Sequence, residues 1–308
     1  MSVQGWIQEY DASRYLRKQT DDVLKRRYEA LTSNLWSTDV AGNVMPPRNP
    51  QHREAILRLV VHVLCEQRNR AGDPTLVLDE AAIRQAASTA YRRPKLTTSF
   101  IGSPSGFAKF GKREHIRRTY EEGVLRVAPA SGFNDPSLNS AQRDDELLHW
   151  AVTPNQQLMM RVIGLDEHGN EVEVPVEKGE LFRGMTVPDF YVWCCGFGYD
   201  ARLFHEFQAD AVIVIRDMDQ FQSRFSAAMQ TVLPGWTMKD GPLTYYDPYN
   251  VRREELTPVF SKNLRYLHQN EYRFAWSSPL GEKTSKPLFP VLGRLSDIAE
   301  YYEIDGSV

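Results

Sequence analysis

Phe260-Ser-Lys-Asn-Leu-Arg-Tyr-Leu-His-Gln-Asn-Glu-Tyr-Arg-Phe-Ala-Trp276 divides into two unlike halves. Its end, Tyr272-Arg-Phe-Ala-Trp276, alternates aromatic and other residues, a period of two that predicts a β-strand with one buried face. Just ahead stand Gln269, Asn270 and Glu271, a carboxamide and a carboxylate flanking one residue at the expected strand mouth. In an extended chain that spacing turns both side chains to one face. A fixed carboxylate beside an amide that steers a nucleophile suits chemistry passing through a cationic sugar. The plainer alternative is a surface carboxylate paired with Lys262, Arg265 or Arg273, an exposed arrangement worth about 0–1 kcal/mol.

Upstream, Ala211-Val-Ile-Val-Ile-Arg216 predicts a buried strand, and Phe190-Tyr-Val-Trp-Cys-Cys-Gly196 a second one ending in small residues. Phe107-Ala-Lys-Phe110 is a short strand followed by a helix over Arg113–Glu122 that Gly123 terminates. A strand is expected over Val124–Ser131, then the turn-rich Gly132-Phe-Asn-Asp-Pro136. Asp144-Asp-Glu146 begins a further piece, and a hairpin from Met159 to Val176 turns around His168-Gly-Asn170. Short helices over Asp200–Phe207 and Asp217–Met229, a strand over Leu243–Tyr246, and a closing strand over Pro287–Leu292 complete the pattern. Strands and helices without regular βαβ alternation predict an α+β domain over residues 96–308.

Residues 1–95 have a different period. One long amphipathic helix is expected from Asp11 to Leu31, capped by Asp11 or Ser13. A connector follows over Ser33–Pro50, then a helix over Gln51–Arg70 stopped by Gly72-Asp73-Pro74, and another from Asp79 through Ala90. These helices must bury their stripes on one another or on the next domain.

Charge is uneven: residues 1–100 sum to +4 and residues 101–308 to −7. This hints at two modules with different partners, yet lacks the dense basic face of a dedicated nucleic-acid binder. Arg14, Arg17, Lys18, Lys25, Arg26 and Arg27 read as the solvated face of the first helix, or more sharply as a phosphate or partner contact. No apolar run approaches the ~18 residues of a membrane span, and the first ten residues lack a leader pattern. Three cysteines, with Cys194 and Cys195 adjacent, form no disulfide framework. Cytoplasmic residence is the expectation. No Cys/His spacing fits zinc, so no metal is expected. Gly102-Ser-Pro-Ser-Gly106 lacks the spacing and the Lys-Ser/Thr of a phosphate loop. Cys195 lies near His205 in sequence but lacks an orienting third group.

What remains is an ordered series. Lys109 lies in a strand before a helix and Gly123, and Arg126 in the next strand. Phe133-Asn-Asp-Pro136, Cys195-Gly196, Leu203-Phe-His-Glu-Phe207 and Val212–Ile215 follow, and Phe260-Ser-Lys262 and Glu271-Tyr-Arg-Phe274 come last. In this order the chain resembles DUF2971-like bacterial proteins, distant relatives of ADP-ribosyltransferases that include toxins of phage-defence and toxin–antitoxin systems. The resemblance covers about residues 105–278, and its most specific motifs are Phe-Asn-Asp-Pro and Glu-Tyr-Arg-Phe.

The resemblance implies an ADP-ribosyltransferase-like split mixed β-sheet with flanking helices, and transfer of ADP-ribose from NAD to RNA, DNA or protein. It implies that Glu271 is the catalytic glutamate and Gln269 the residue orienting the acceptor. Lys109 and Arg126 match strands that carry cations near the NAD phosphates, and Lys262 joins this cofactor-binding set. Asn134 and Asp135 fall in the loop bordering the cofactor, and Tyr191 and Cys195 on the nicotinamide-contacting strand. Here Trp193-Cys-Cys-Gly196 stands where the Ser-Thr-Ser triplet is usual. The residues alone leave other readings open: salt bridging for Lys109 and Arg126, and an ordinary turn for Phe133-Asn-Asp-Pro136. The whole chain also reads as a nucleotide- or nucleic-acid-binding module without chemistry, or as a protein whose helical module docks an antitoxin or other partner.

Overall fold

The computed structural model describes residues 2–72, 78–100, 102, 104–154, 162–174, 180–251, 256–282 and 284–306. The helical module comprises α1 (Val3–Ser13), α2 (Asp21–Thr32), α3 (Pro50–Ala71) and α4 (Glu80–Ala90), and β1 (Ser37–Thr38) pairs antiparallel with β2 (Val44–Met45) between α2 and α3. The single helix expected over Asp11–Leu31 is broken. Arg14 turns left-handed at φ 35°, and the chain restarts only at Thr20, whose hydroxyl accepts from the Val23 N–H. Ser2 and Thr20, not Asp11 or Ser13, are therefore the caps. α3 begins and ends as its sequence requires, with Asn49 accepting the Gln51 and His52 N–H groups, Pro50 in the first turn and Gly72 closing at φ 69°; Asp73 and Pro74 lie outside the described residues.

Tyr10, Leu24, Leu31, Val60 and Val63 bury against one another and against Leu264 and Leu267, so the core of the module extends into the second domain. Arg27, expected on the solvated face, is buried and pairs with Asp247 at 2.6 Å. The sequence offers no signal for that contact because its partner is 220 residues away.

In the second domain come β3 (Phe107–Gly111), α5 (Arg113–Glu122), β4 (Ala128–Pro129), β5 (Leu148–Pro154), β6 (Val162–Leu165), β7 (Glu171–Val174), β8 (Glu180–Thr186) and β9 (Tyr191–Phe197). Then follow α6 (Arg202–Glu206), β10 (Ala211–Ile215), α7 (Met218–Val232), β11 (Thr237–Pro242), β12 (Thr244–Tyr246), β13 (Ser261–Asn263), β14 (Glu271–Ser277) and β15 (Ala299–Glu303). The main sheet runs β11-β14-β9-β3-β10-β15, with β4 also on β9. The α+β class holds. The expected mixed sheet does not: the main sheet is antiparallel throughout, and β12 with β13 forms a separate parallel pair.

Two expected strands are reduced. Val124–Ser131 contributes only Ala128 and Pro129, and Pro287–Leu292 makes isolated bridges through Leu288 and Val291 to Val127 and Val124. Pro129, Pro287 and Pro290 have no N–H to extend a ladder. β15, not Pro287–Leu292, closes the sheet beside β10. The hairpin around His168 forms as β6–β7, while Met159 and Val176 lie outside the described residues.

Alternation gives the sheet two different faces. Phe107, Tyr191, Trp193, Cys195, Phe274 and Trp276 bury against Phe221, Phe225 and Met229 of α7. On the other face Val192 and Ala275 meet Ala130 and Phe190. Cys194, Glu271 and Arg273 share that second face, because Arg273 pairs directly with Cys194 and Glu271 with Gly196.

Candidate active site

Glu271 is the first residue of β14, and the chain reaches it through a kink. Leu264–Gln269 is a 3-10 helix, and Asn270 takes the left-handed conformation at φ 41°. The Asn270 side chain donates to the Phe197 carbonyl, tying this corner to the end of β9. The extended geometry expected for Gln269 and Glu271 is therefore absent. Gln269 is buried and its Nε2 donates to the Ala141 carbonyl at 2.8 Å, while the Glu271 carboxylate turns to other partners.

Those partners form a closed ring of charge. Glu271 Oε2 accepts from Lys262 Nζ at 2.8 Å, and Oε1 accepts from Arg273 Nε and Nη2 at 3.1 and 2.8 Å. Glu146 spans the same two cations, with Oε1 at 3.4 Å from Lys262 Nζ and Oε2 at 2.8 Å from Arg273 Nη2. Arg273 also donates to the Val259 carbonyl at 2.7 Å. Glu271 is 6% exposed, Glu146 5%, Lys262 7% and Arg273 0%. The surface pairing considered for Glu271 is thus realised with Lys262 and Arg273, but in the interior.

Burial alone would raise the Glu271 carboxyl, yet Lys262 and Arg273 outweigh it and hold the group ionised, well below the usual carboxylate range. Lys262 and Arg273 stay charged because the facing carboxylates overcome their desolvation. Beside the ring, burial and Glu146 push the Asp144 carboxyl up to about 6. The Tyr245 hydroxyl accepts the Glu271 N–H at 2.7 Å, and His149 Nε2 donates to the Ser261 carbonyl at 2.8 Å, fixing β13.

The residues singled out in the sequence separate into groups. Lys262 meets Glu271 directly, and Gln269 sits one kink away. Asn134 is exposed and donates to the Asp145 carboxylate at 3.1 Å, which places the Phe133-Asn-Asp-Pro136 loop against the segment carrying Glu146. Asp135 is exposed and accepts the Ser137 N–H at 2.8 Å, the ordinary turn contact.

Lys109 is not brought to Glu271. It follows Ala108, which pairs with Gly196, so it projects to the opposite sheet face. There it donates to the Cys194 carbonyl at 2.6 Å and lies 5.3 Å from the Trp193 ring centre. Arg126 is exposed between buried Leu125 and Val127. Tyr191 and Cys195 belong to the aromatic core under α7, with Tyr191 5.4 Å from Trp236 and Cys195 Sγ 3.7 Å from the Tyr272 carbonyl. Burial, then Glu271, pushes the neighbouring Cys194 thiol up to about 12, which keeps it un-ionised.

Glu146 and Arg273 are the members of the ring that sequence reasoning missed as site residues; Arg273 entered only as a pairing partner of Glu271, and Glu146 in no site role. The only local signal for Glu146 is the carboxylate-rich Asp144-Asp-Glu146. A cleft between the helical module and the sheet region is lined by residues that include Asn34, His52, Tyr199, His268, Gln269 and Asn270, and so reaches the kink before Glu271 without including the ring itself. Among the described residues no cluster of His, Cys, Asp and Glu has the makings of a metal site, and no helix is long and apolar enough to cross a membrane. Comparison with known proteins returned no match, whether to a protein family, a curated protein or a solved structure.

Proposed function

We propose that this protein transfers ADP-ribose from NAD to a macromolecular acceptor, with Glu271 as the carboxylate that stabilises the reacting ribose. One observation carries the reading: a carboxylate kept ionised by two buried cations at the start of an interior strand, one kink from a carboxamide that lines a cleft. Cleavage of the nicotinamide–ribose bond builds positive charge on the sugar, and a fixed negative group near it is most useful as that charge appears. Nicotinamide leaves as a neutral ring, so its departure requires no general acid. The acceptor must lose a proton; Gln269 orients it and Glu271 accepts the proton.

NAD reaches Glu271 only when the segment carrying Glu146 withdraws, because the ring is closed in this structure. Lys109, Tyr191 and Cys195 play no part in the cofactor site of this proposal, since they face the opposite side of the sheet. Acceptance of RNA, DNA or protein, and a role as a defence toxin, belong to the same proposal.

The test is incubation of the full chain with labelled NAD and cell extract, tracing nicotinamide release and label into protein and nucleic acid separately. The control is Lys262→Met with Glu271→Gln, which removes one charge of each sign and leaves Arg273 paired with Glu146. Label that appears with the wild type and is lost in the folded double variant supports the reading. No release and no label overturns it.

A second reading is favoured by the closure of the ring: every oxygen of Glu271 and Glu146 is matched inside the protein. In that reading the domain binds a nucleotide in the interdomain cleft without chemistry. It predicts that NAD raises the melting temperature while no nicotinamide is released.

A further inference from the structure

We infer that Lys262 and Arg273 form a binding site for a diphosphate, that Glu146 occupies it from within, and that the segment 141–147 is a latch which the ligand displaces. The identity of the natural ligand, the diphosphate of NAD, rests on the proposed function; the displaceable anion does not.

Lys262, Glu271 and Arg273 are fixed on β13 and β14, two strands of the domain's sheets. Glu146 alone sits on irregular chain, between the turn at Ala141–Gln142 and the start of β5. Loops carry the movable parts of sites because few ladder bonds hold them. Glu146 is also the looser partner of Lys262, at 3.4 Å against 2.8 Å for Glu271.

The segment is fastened by polar contacts on two sides: the Phe133 carbonyl accepts the Asp144 N–H at 3.1 Å and Asn134 donates to Asp145 at 3.1 Å on one, and the residues leading to Glu271 hold it on the other. Gln269 Nε2 donates to the Ala141 carbonyl at 2.8 Å, Tyr266 Oη donates to the Arg143 carbonyl at 2.8 Å, and Arg265 lies 3.7 Å from Asp144. Leu147 packs on the sheet and its carbonyl accepts the Val187 N–H at 3.1 Å, which makes it the fixed end. Asp144 adds a third carboxylate beside Glu146 and Glu271, and like charges at close range weaken the closed state.

Withdrawal of Glu146 leaves two buried cations with one carboxylate between them. A buried cation without its partner demands another anion. Glu146 meets Arg273 with one oxygen and Lys262 with the other. A phosphate presents the same two-oxygen edge, and an Arg–Lys pair is the side-chain combination suited to it. A diphosphate held there lies against Glu271 and withdraws the two cations from it, leaving that carboxylate free to face a developing positive charge.

The experiment uses the full chain and inorganic pyrophosphate, with amide hydrogen exchange as the readout. Saturating pyrophosphate should accelerate exchange in residues 141–147, including the Asp144 amide now bonded to the Phe133 carbonyl, while β14 stays protected. Glu146→Gln should bind pyrophosphate about tenfold more tightly, because a latch that no longer competes removes its share of the closed population. Unchanged exchange at 141–147, or no binding at all, overturns the inference whether or not the variant folds, since the wild type alone gives that answer. Pyrophosphate-driven opening without nicotinamide release retains the latch and removes the chemistry. Transfer of ADP-ribose with a segment that never opens removes the latch and retains the chemistry.

Discussion

Asn34, in the helical module, holds the 3-10 helix Leu264–Gln269 through both halves of its carboxamide. Its Oδ1 accepts the His268 N–H at 2.7 Å, and its Nδ2 donates to the Arg265 carbonyl at 3.2 Å and the Leu264 carbonyl at 3.4 Å. His268 in turn contacts Glu206, which pairs with Arg202, and Arg202 donates to the Ser33 and Trp36 carbonyls. One side chain of the module thereby fixes the 3-10 helix that leads through Gln269 to Glu271.

Replacing Asn34 with Ala removes the acceptor of the part-buried His268 N–H and the donor to the buried Leu264 and part-buried Arg265 carbonyls. The cost of stranding buried polar groups is about 1–3 kcal/mol. Urea unfolding of Asn34→Ala should show a loss in that range. Asn34→Asp keeps the acceptor for the His268 N–H but loses the donor, and should fall between the two. A loss below half a kilocalorie for the alanine variant would mean that the helix is held by packing alone.

Arg27 and Asp247 make another crossing from the helical module, a two-pronged pair with both contacts at 2.6 Å and both side chains under 9% exposed. The Arg27 guanidinium also donates to the Tyr15 hydroxyl at 3.3 Å. Removing one member of such a pair costs about 3–5 kcal/mol, because the other charge stays buried, whereas apolar replacement of both is often neutral. Asp247→Ala should therefore lower stability far more than Arg27→Met combined with Asp247→Leu. Equal losses in the two would show that the charges are stabilising in themselves.

The fragment 96–308 gives a related measurement. Without residues 1–95 it exposes Leu264 and Leu267, leaves Asp247 unpaired, and removes Asn34 from the 3-10 helix. It should lose cooperative thermal unfolding by circular dichroism. A fragment that melts as sharply as the full chain would establish that the α+β domain is autonomous.

Local periodicity made much of this fold legible. The buried run Ala211–Ile215, the Gly123 stop after α5 and the Asn49/Gly72 ends of α3 are properties of adjacent residues, and the chain folds accordingly. The break at Arg14 was not legible, because left-handed turns at non-glycine residues depend on the surrounding packing. At the site, Glu271 and Lys262 were legible as charged residues near one strand. Their closure was not, since it depends on Glu146, more than 100 positions earlier in a stretch of turns and acids. Face assignment for Lys109 required the register of β3 on β9, which no property of Phe107–Phe110 specifies.

Asp144 supplies a pH test. Burial and Glu146 raise its carboxyl from 3.8 to about 6. A carboxyl that binds its proton more tightly in the folded state favours folding at low pH, and that contribution is lost as pH rises from about 4 to about 6. Asp144→Asn should thus be more stable than the wild type at pH 8 by up to roughly 2–3 kcal/mol, with the difference vanishing near pH 4. The lost partner Arg265 is half exposed at 3.7 Å and offsets little of this. A variant less stable than the wild type at pH 8 would assign Asp144 a stabilising ionised role.

Glu271 carries the opposite sign. Lys262 and Arg273 depress its carboxyl below the ordinary 4.5, so its stabilising contribution is present above that value and lost as pH falls beneath it. Glu271→Gln removes the charge at every pH and leaves Lys262 and Arg273 with Glu146 as the only carboxylate in the ring. The expected cost is about 3–5 kcal/mol at pH 7, read by chemical denaturation. Lys262→Met in the Glu271→Gln background should recover most of it, because the ring returns to one cation and one anion. Recovery would show that the stability cost of Glu271→Gln is the charge imbalance it leaves, and the folded double variant then serves as an inactive control lacking both the carboxylate and one cation of the proposed diphosphate site. If Glu271→Gln is as stable as the wild type, its carboxylate is not balancing the two cations, and the ionised state on which the proposed chemistry depends would have no basis.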